Sequence, residues 1–250
     1  MIFVFHQILK ELQGILIFLI PNQTKVLRWL DFQTEKSIIL DKIMIFDFSD
    51  KINQHGLKVI FSNAEESNIL TKKAIVSMSQ IHSTNIELVN DKKLVYSNVD
   101  GIFSCKKNYA LQVKTADCLP IFFIHEHENI FGVIHAGWKG LKNGIISKST
   151  KLLSSHINDL NEITAFIGPS ISQKNYEVKN EFIDYFGNEF IDKVGDKFFC
   201  NLKGVASSQL QKLGVKNIID CNQCTYENEN YHSYRRNKTS KRMIGLIYYE

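Results

Sequence analysis

Residues 110–140 read ALQVKTADCLPIFFIHEHENIFGVIHAGWKG. Segments 110–113, 120–124 and 130–134 are short apolar runs bounded by polar or turn residues, the pattern of strands rather than helices. Residues 125–129 form a polar turn between the second and third runs, which places His125 and His127 in a solvated hairpin loop. After Gly137 and Trp138 the period changes. Leu141, Ile145, Leu152, Leu153 and Ile157 fall on one helical face with Lys and Ser opposite, which predicts a single helix over 139–157. Its free N–H groups would point back toward His135, and helix starts attract anions.

Working outward, segments 57–61 and 74–78 read as strands, and Asp100 with Gly101 gives a turn signal. Downstream, 162–168 reads as a strand closed by Gly168 and Pro169. Phe182, Ile183, Phe186 and Phe190 space out as an amphipathic helix. Leu202, Val205, Ala206, Leu210 and Leu213 give another, closed by Gly214 as its C-cap. Segments 215–220 and 243–249 are late strands. Strands outnumber helices and some neighbours are separated only by turns. This predicts an α+β fold, a single domain of mixed β-sheets layered with helices, over residues 44–250.

Residues 1–43 differ. The apolar run 14–20 is far shorter than the roughly 20 residues a helix needs to span a bilayer. It lacks the basic segment before it and the small-residue cleavage site after it that mark a signal peptide. Segment 22–42 shows no clear period, so 1–43 reads as an N-terminal extension, with Met44 as an alternative start.

The chain of 250 residues is 44% hydrophobic and 22% charged with net charge +4, which suits one substantial core and excludes a general nucleic-acid-coating protein. Five cysteines, an odd number at irregular spacing, do not form a disulfide framework and point to a reducing cytoplasm. No partner membrane or nucleic acid is expected, and the sequence sets no oligomeric state.

Chemistry concentrates at strand ends. Cys118 precedes Pro120, where a strand begins. His135 ends a strand beside Gly137, whose missing side chain allows close approach. With His82 these make a Cys/His/His set, the donor type of a catalytic zinc site with one position left open. Each residue alone reads as readily as ordinary packing or loop. Residues 235–242 are rich in Arg and Lys, which reads as a solvated loop, a nucleic-acid patch or an oxyanion clamp. Cys221 and Cys224 form a C-x-x-C, but no second such pair accompanies it to complete a zinc site.

Six blocks in register carry a resemblance: 80–82 (QIH), 115–121 (TADCLPI), 135–140 (HAGWKG), 167–171 (IGPSI), 176–178 (YEV) and 233–236 (SYRR). Together, over residues 57–250, they resemble the laccase-domain family, called multicopper polyphenol oxidase-like and associated with purine nucleoside phosphorylase and adenosine deaminase activity. The resemblance implies a layered α+β fold shared with toxin deamidases, and metal ligation by His82, Cys118 and His135, with zinc as the ion and copper as the alternative. It implies phosphorolysis of adenosine, inosine and methylthioadenosine, and deamination of adenosine. Lys139, Arg235 and Arg236 are then candidates for aligning phosphate, and Asp117 for moving protons beside Cys118 and His135. Lys139 stands where the family usually has arginine, which makes any contact there a point charge rather than a fork. The competing readings are a copper-dependent polyphenol oxidase, a metal-free cysteine hydrolase built on Cys118 and His135, and a nucleic-acid-binding module using 235–242.

Overall fold

The computed structural model describes the backbone of residues 15–20, 23–32 and 35–40, and residues 43–250 apart from 53 and 126. Two large sheets face each other. The first has nine strands in the order β1 (Ile15–Ile20), β2 (Gln23–Phe32), β3 (Glu35–Leu40), β4 (Ile43–Asp47), β5 (Leu57–Ser62), β18 (Met243–Tyr249), β10 (Tyr109–Thr115), β6 (Ala74–Ser79) and β8 (Val95–Ser97). The second has six: β17 (Asn217–Asp220), β13 (Ile163–Ile167), β11 (Leu119–His125), β12 (Phe131–Ala136), β9 (Gly101–Ser104) and β7 (Ile86–Leu88). A small third sheet joins β14 (Glu177–Val178), β16 (Lys197–Cys200) and β15 (Ile191–Val194).

The quoted stretch explains the layering. Every residue of β11 and β12 is buried, as expected for strands covered on both faces. Alternate side chains enter different cores. Phe122, Ile124, Phe131 and Val133 pack with Phe61, Leu111 and Val113 of the nine-stranded sheet. Ile121, Phe123, Ile134 and Ala136 pack with Leu141, Ile145, Val205 and Leu210 from the helices. The six-stranded sheet is therefore the middle of three layers, and the α+β expectation is met.

The helices are shorter than their periodicity predicts. The expected 139–157 helix is two, α1 (Trp138–Lys142) and α2 (Ile145–Ser154), because Gly144 between them takes a left-handed φ of +87°. Residues 182–190 give α3 (Phe182–Phe186), then a 3₁₀ turn after Gly187 at φ +93°. The next helix, α4 (Leu202–Lys212), ends as expected, with Gly214 at φ +99°. A last short helix, α5 (Tyr234–Asn237), falls inside the basic motif. His125 departs from its expected place in solvent: it is 1% exposed, and its Nδ1 accepts from the amides of His127 and Glu128 while Nε2 lies 3.1 Å from Glu162. His127 is exposed, as expected.

Residues 1–14, 21–22, 33–34 and 41–42 of the expected extension lie outside the described residues. The described strands β1, β2 and β3 pair antiparallel in that order, and β3 pairs with β4. The boundary drawn at 43/44 falls inside β4, after its first residue. No described helix is long and apolar enough to cross a membrane.

Candidate metal centre and active site

Three segments at one edge of the sandwich bring the expected ligands together. His82 sits between β6 and β7, Cys118 between β10 and β11, and His135 near the end of β12. Their donor atoms all lie within 4.8 Å of one another, and theirs is the one group of three or more such ligands found among the described residues. The Cys118 sulfur is 3.9 Å from His82 Nε2. The two imidazoles meet edge to face with centroids 4.7 Å apart.

The sheet register explains the convergence. Pro120 pairs with His135 and Leu119 with Ala136, so the next step sets Cys118 across from Gly137. A Cβ on Gly137 would lie 3.0 Å from the His82 ring and 3.1 Å from the Cys118 sulfur. The site closes only because residue 137 has no side chain. By strand alternation Cys118 shares a face with Phe122, and His135 with Val133. The ligands thus occupy the rim of the inter-sheet core, with His82 exposed and His135 buried.

The charges are arranged as a metal site needs them. Burial would raise the Cys118 thiol, but the His135 and His82 imidazoles bring it down to about 6. Burial would lower His135, yet Cys118 and Asp100 outweigh that and raise it to about 9. Burial would also raise Asp100; hydrogen bonds from His135 and Ser83 overcome it and hold the carboxyl at about 2. An ionised Asp100 requires that His135 Nδ1, 2.8 Å away, carry the proton. Raised to about 9, His135 also carries a proton on Nε2 at neutral pH, and an ion binding there would displace it. Two imidazoles, one thiolate and a cradle that excludes a Cβ fit a zinc-type ion.

Asp117 is turned elsewhere. At φ +90° it forms the corner before Cys118. One carboxylate oxygen accepts from the Thr225 hydroxyl at 2.7 Å and the other from the Arg235 amide at 2.6 Å, while its carbonyl accepts from the Ile171 amide. The group expected to shuttle protons pins three segments around the site. Arg236 likewise departs from the expected clamp: its guanidinium donates to the carbonyls of Thr225, Tyr226 and Tyr231. Arg235 differs. Its guanidinium donates to the Glu177 carbonyl at 2.8 Å, and the guanidinium carbon lies 5.0 Å from the centroid of the Tyr176 ring. Lys139 is exposed at the start of α1 and lies over Trp138.

Two residues here were not legible as functional. Asp100 looked like a turn residue, although an acid that opens a buried strand without a basic neighbour is a usable signal. Tyr176 carried no chemistry in sequence. Burial, and after it the charge of Cys118, push its phenol's pKa up.

Comparison with known proteins agrees with this geometry. The family model described as multi-copper polyphenol oxidoreductase laccase matches residues 57–250. The chain belongs to that family. It is 36% identical over 216 residues to a purine nucleoside phosphorylase of Campylobacter jejuni, covering 83% of this chain and 92% of the relative. It is 35% identical over 176 residues to one from Aquifex aeolicus, covering 70% and 83%. Among solved structures it superposes on YlmD from Geobacillus stearothermophilus with a TM-score of 0.72 at 20% identity, over 89% of this chain and 98% of that one. The match to YfiH of Bacillus licheniformis has a TM-score of 0.70 at 20% identity, over 96% and 98%. These two establish the fold.

Proposed function

We propose that this protein is a zinc-dependent purine nucleoside enzyme, which cleaves adenosine, inosine and methylthioadenosine with phosphate and deaminates adenosine. The observation that carries the reading is the convergence of His82, Cys118 and His135 in a chain whose relatives bear the name purine nucleoside phosphorylase. An ion held there supplies a Lewis acid at the rim of the sandwich.

The chain's own residues supply the rest. Arg235, set over the Tyr176 ring, presents its remaining donors as a fork that suits a phosphate oxygen pair. Asp117 fixes the Arg235 backbone and so sets where that fork points. Lys139 adds a mobile positive charge from the start of α1. The partly exposed Tyr176 and Trp138 offer aromatic faces for a purine.

The family description names copper, but multicopper oxidases need a blue site plus a histidine-rich trinuclear cluster. The described residues offer one three-ligand group, which favours a single ion and the nucleoside reading. All five cysteines are free, which supports a cytoplasmic setting.

The test is elemental analysis of the purified protein, joined to chromatography of products from adenosine with and without phosphate. We expect one zinc per chain, adenine and ribose 1-phosphate with phosphate present, and inosine without it. Zinc-loaded protein that releases neither base nor inosine would overturn the proposal.

A further inference from the structure

The metal ligands come from three separate segments, two loops and the end of β12, and two of them are held by one residue. Asp100 lies between β8 and β9 and is 0% exposed. Its Oδ1 accepts from His135 Nδ1 at 2.8 Å and from the His82 amide at 3.0 Å. Its Oδ2 accepts from the Ser83 amide and hydroxyl, both at 2.7 Å, and from the Ile81 amide at 3.2 Å. The backbone repeats the pattern: the Asp100 carbonyl accepts from the His135 amide at 2.7 Å, and the Asp100 amide donates to the Asn85 carbonyl at 2.9 Å.

Three successive amides, 81 to 83, therefore point at one carboxylate. Such a concave run of N–H groups is an anion-binding nest. Here the anion is internal. His82 pays for the arrangement with a left-handed φ of +60°, which costs a non-glycine residue about 1–3 kcal/mol and persists only where its surroundings enforce it. The only described group that all three amides meet is the Asp100 carboxylate.

We propose that Asp100 is a positioning residue that presents both imidazoles to the ion as one unit: it fixes the proton on His135 Nδ1 and holds the strained turn that aims His82. This rests on the metal-site reading above. An amide in its place keeps the shape but turns an NH₂ donor toward the donors of Ile81 and Ser83, or toward His135.

The experiment loads metal-free wild-type protein, Asp100→Asn, Ser83→Ala and Leu111→Ala with cobalt(II). It records visible absorption, which reports thiolate ligation and coordination number. It also measures zinc affinity by competition with a chromophoric chelator, and thermal melting of each metal-free protein. Leu111→Ala is the control for stability loss, since Leu111 is fully buried in the inter-sheet core but is neither a ligand nor a partner of Asp100. Asp100→Asn should bind zinc about 10–100-fold more weakly with an altered cobalt spectrum. Ser83→Ala, which removes one donor to Oδ2, should lose about 3–10-fold. Leu111→Ala should melt earlier with the wild-type spectrum. If Asp100→Asn keeps the wild-type affinity and spectrum, or loses no more affinity than Leu111→Ala, the inference is overturned. If Asp100→Asn does not fold, Ser83→Ala decides, and unchanged affinity there overturns it. Wild-type protein that takes up no cobalt instead overturns the metal-site reading itself.

Discussion

Gly137 and Cys118 face each other across the end of a hairpin, and the space between them is the site. Gly137→Ala would push a methyl into the His82 ring and the cysteine sulfur. The prediction is at least about a tenfold loss of metal affinity, because ligands must be held to within a fraction of an ångström. The melting temperature of the metal-free protein should change little. Chelator competition checks the first statement and calorimetry the second. Metal removal has its own signature at Cys118. With the neighbouring imidazoles holding its thiol down at about 6, the metal-free cysteine is mostly thiolate at neutral pH and should alkylate readily with iodoacetamide. Zinc should protect it. Equal alkylation rates with and without zinc would remove Cys118 from the ligand set.

The two arginines make a matched pair of predictions. Arg236 spends its guanidinium on three carbonyls, so Arg236→Ala should cost about 2–4 kcal/mol in urea unfolding. Arg235 is half-buried, and its guanidinium has donors to spare beyond the Glu177 carbonyl. Arg235→Ala should leave stability within about 1 kcal/mol, as is usual away from buried networks, while raising the KM for phosphate. A reversal of these two outcomes would exchange their assigned roles. Sequence could not separate adjacent arginines of one basic run. The difference is set by the Thr225–Tyr231 loop, whose path depends on Asp117 more than a hundred positions away. Cys118 and His135 were legible because each sits at a strand end beside a turn or glycine, whereas His82 lies in the loop after β6. The second tier of the site, Asp100 and Tyr176, was not, because nothing local marks a residue whose partners arrive through sheet pairing.

At the scale of elements, β11 and β12 were plain as short, nearly continuous apolar runs bounded by turns, the pattern of strands covered on both faces. The helical period after Gly137 was also real, but it ran through a break that apolar spacing does not report. Leu141 and Ile145 keep their phase on either side of Gly144, so the pattern looks continuous while the backbone is not. Gly144 at φ +87° has room around it, its nearest outside atom being Ser147 Cβ at 3.9 Å. Gly144→Ala therefore meets no clash and should cost only the left-handed penalty of about 1–2 kcal/mol. Chemical unfolding measures it directly, and a stabilised variant would mean that α1 and α2 can join. Strands β4, β7, β8 and β9 escaped notice because they are short or irregular, and pairing rather than alternation defines them.

For the whole molecule, the α+β class followed from strands outnumbering helices. The order of strands did not, since it depends on contacts remote along the chain. The widest of these is β18. It lies between β5 and β10, with Tyr249 opposite Leu57 and Ala110 opposite Tyr248. It is the last of the described strands to be synthesised, yet it sits near the centre of the larger sheet. Until it arrives, the ribosome-borne chain carries two half-sheets with open inner edges, each able to template the wrong neighbour. Translation order and assembly order are therefore opposed, since the two halves of the sheet join only once residues 243–249 are available to pair with both.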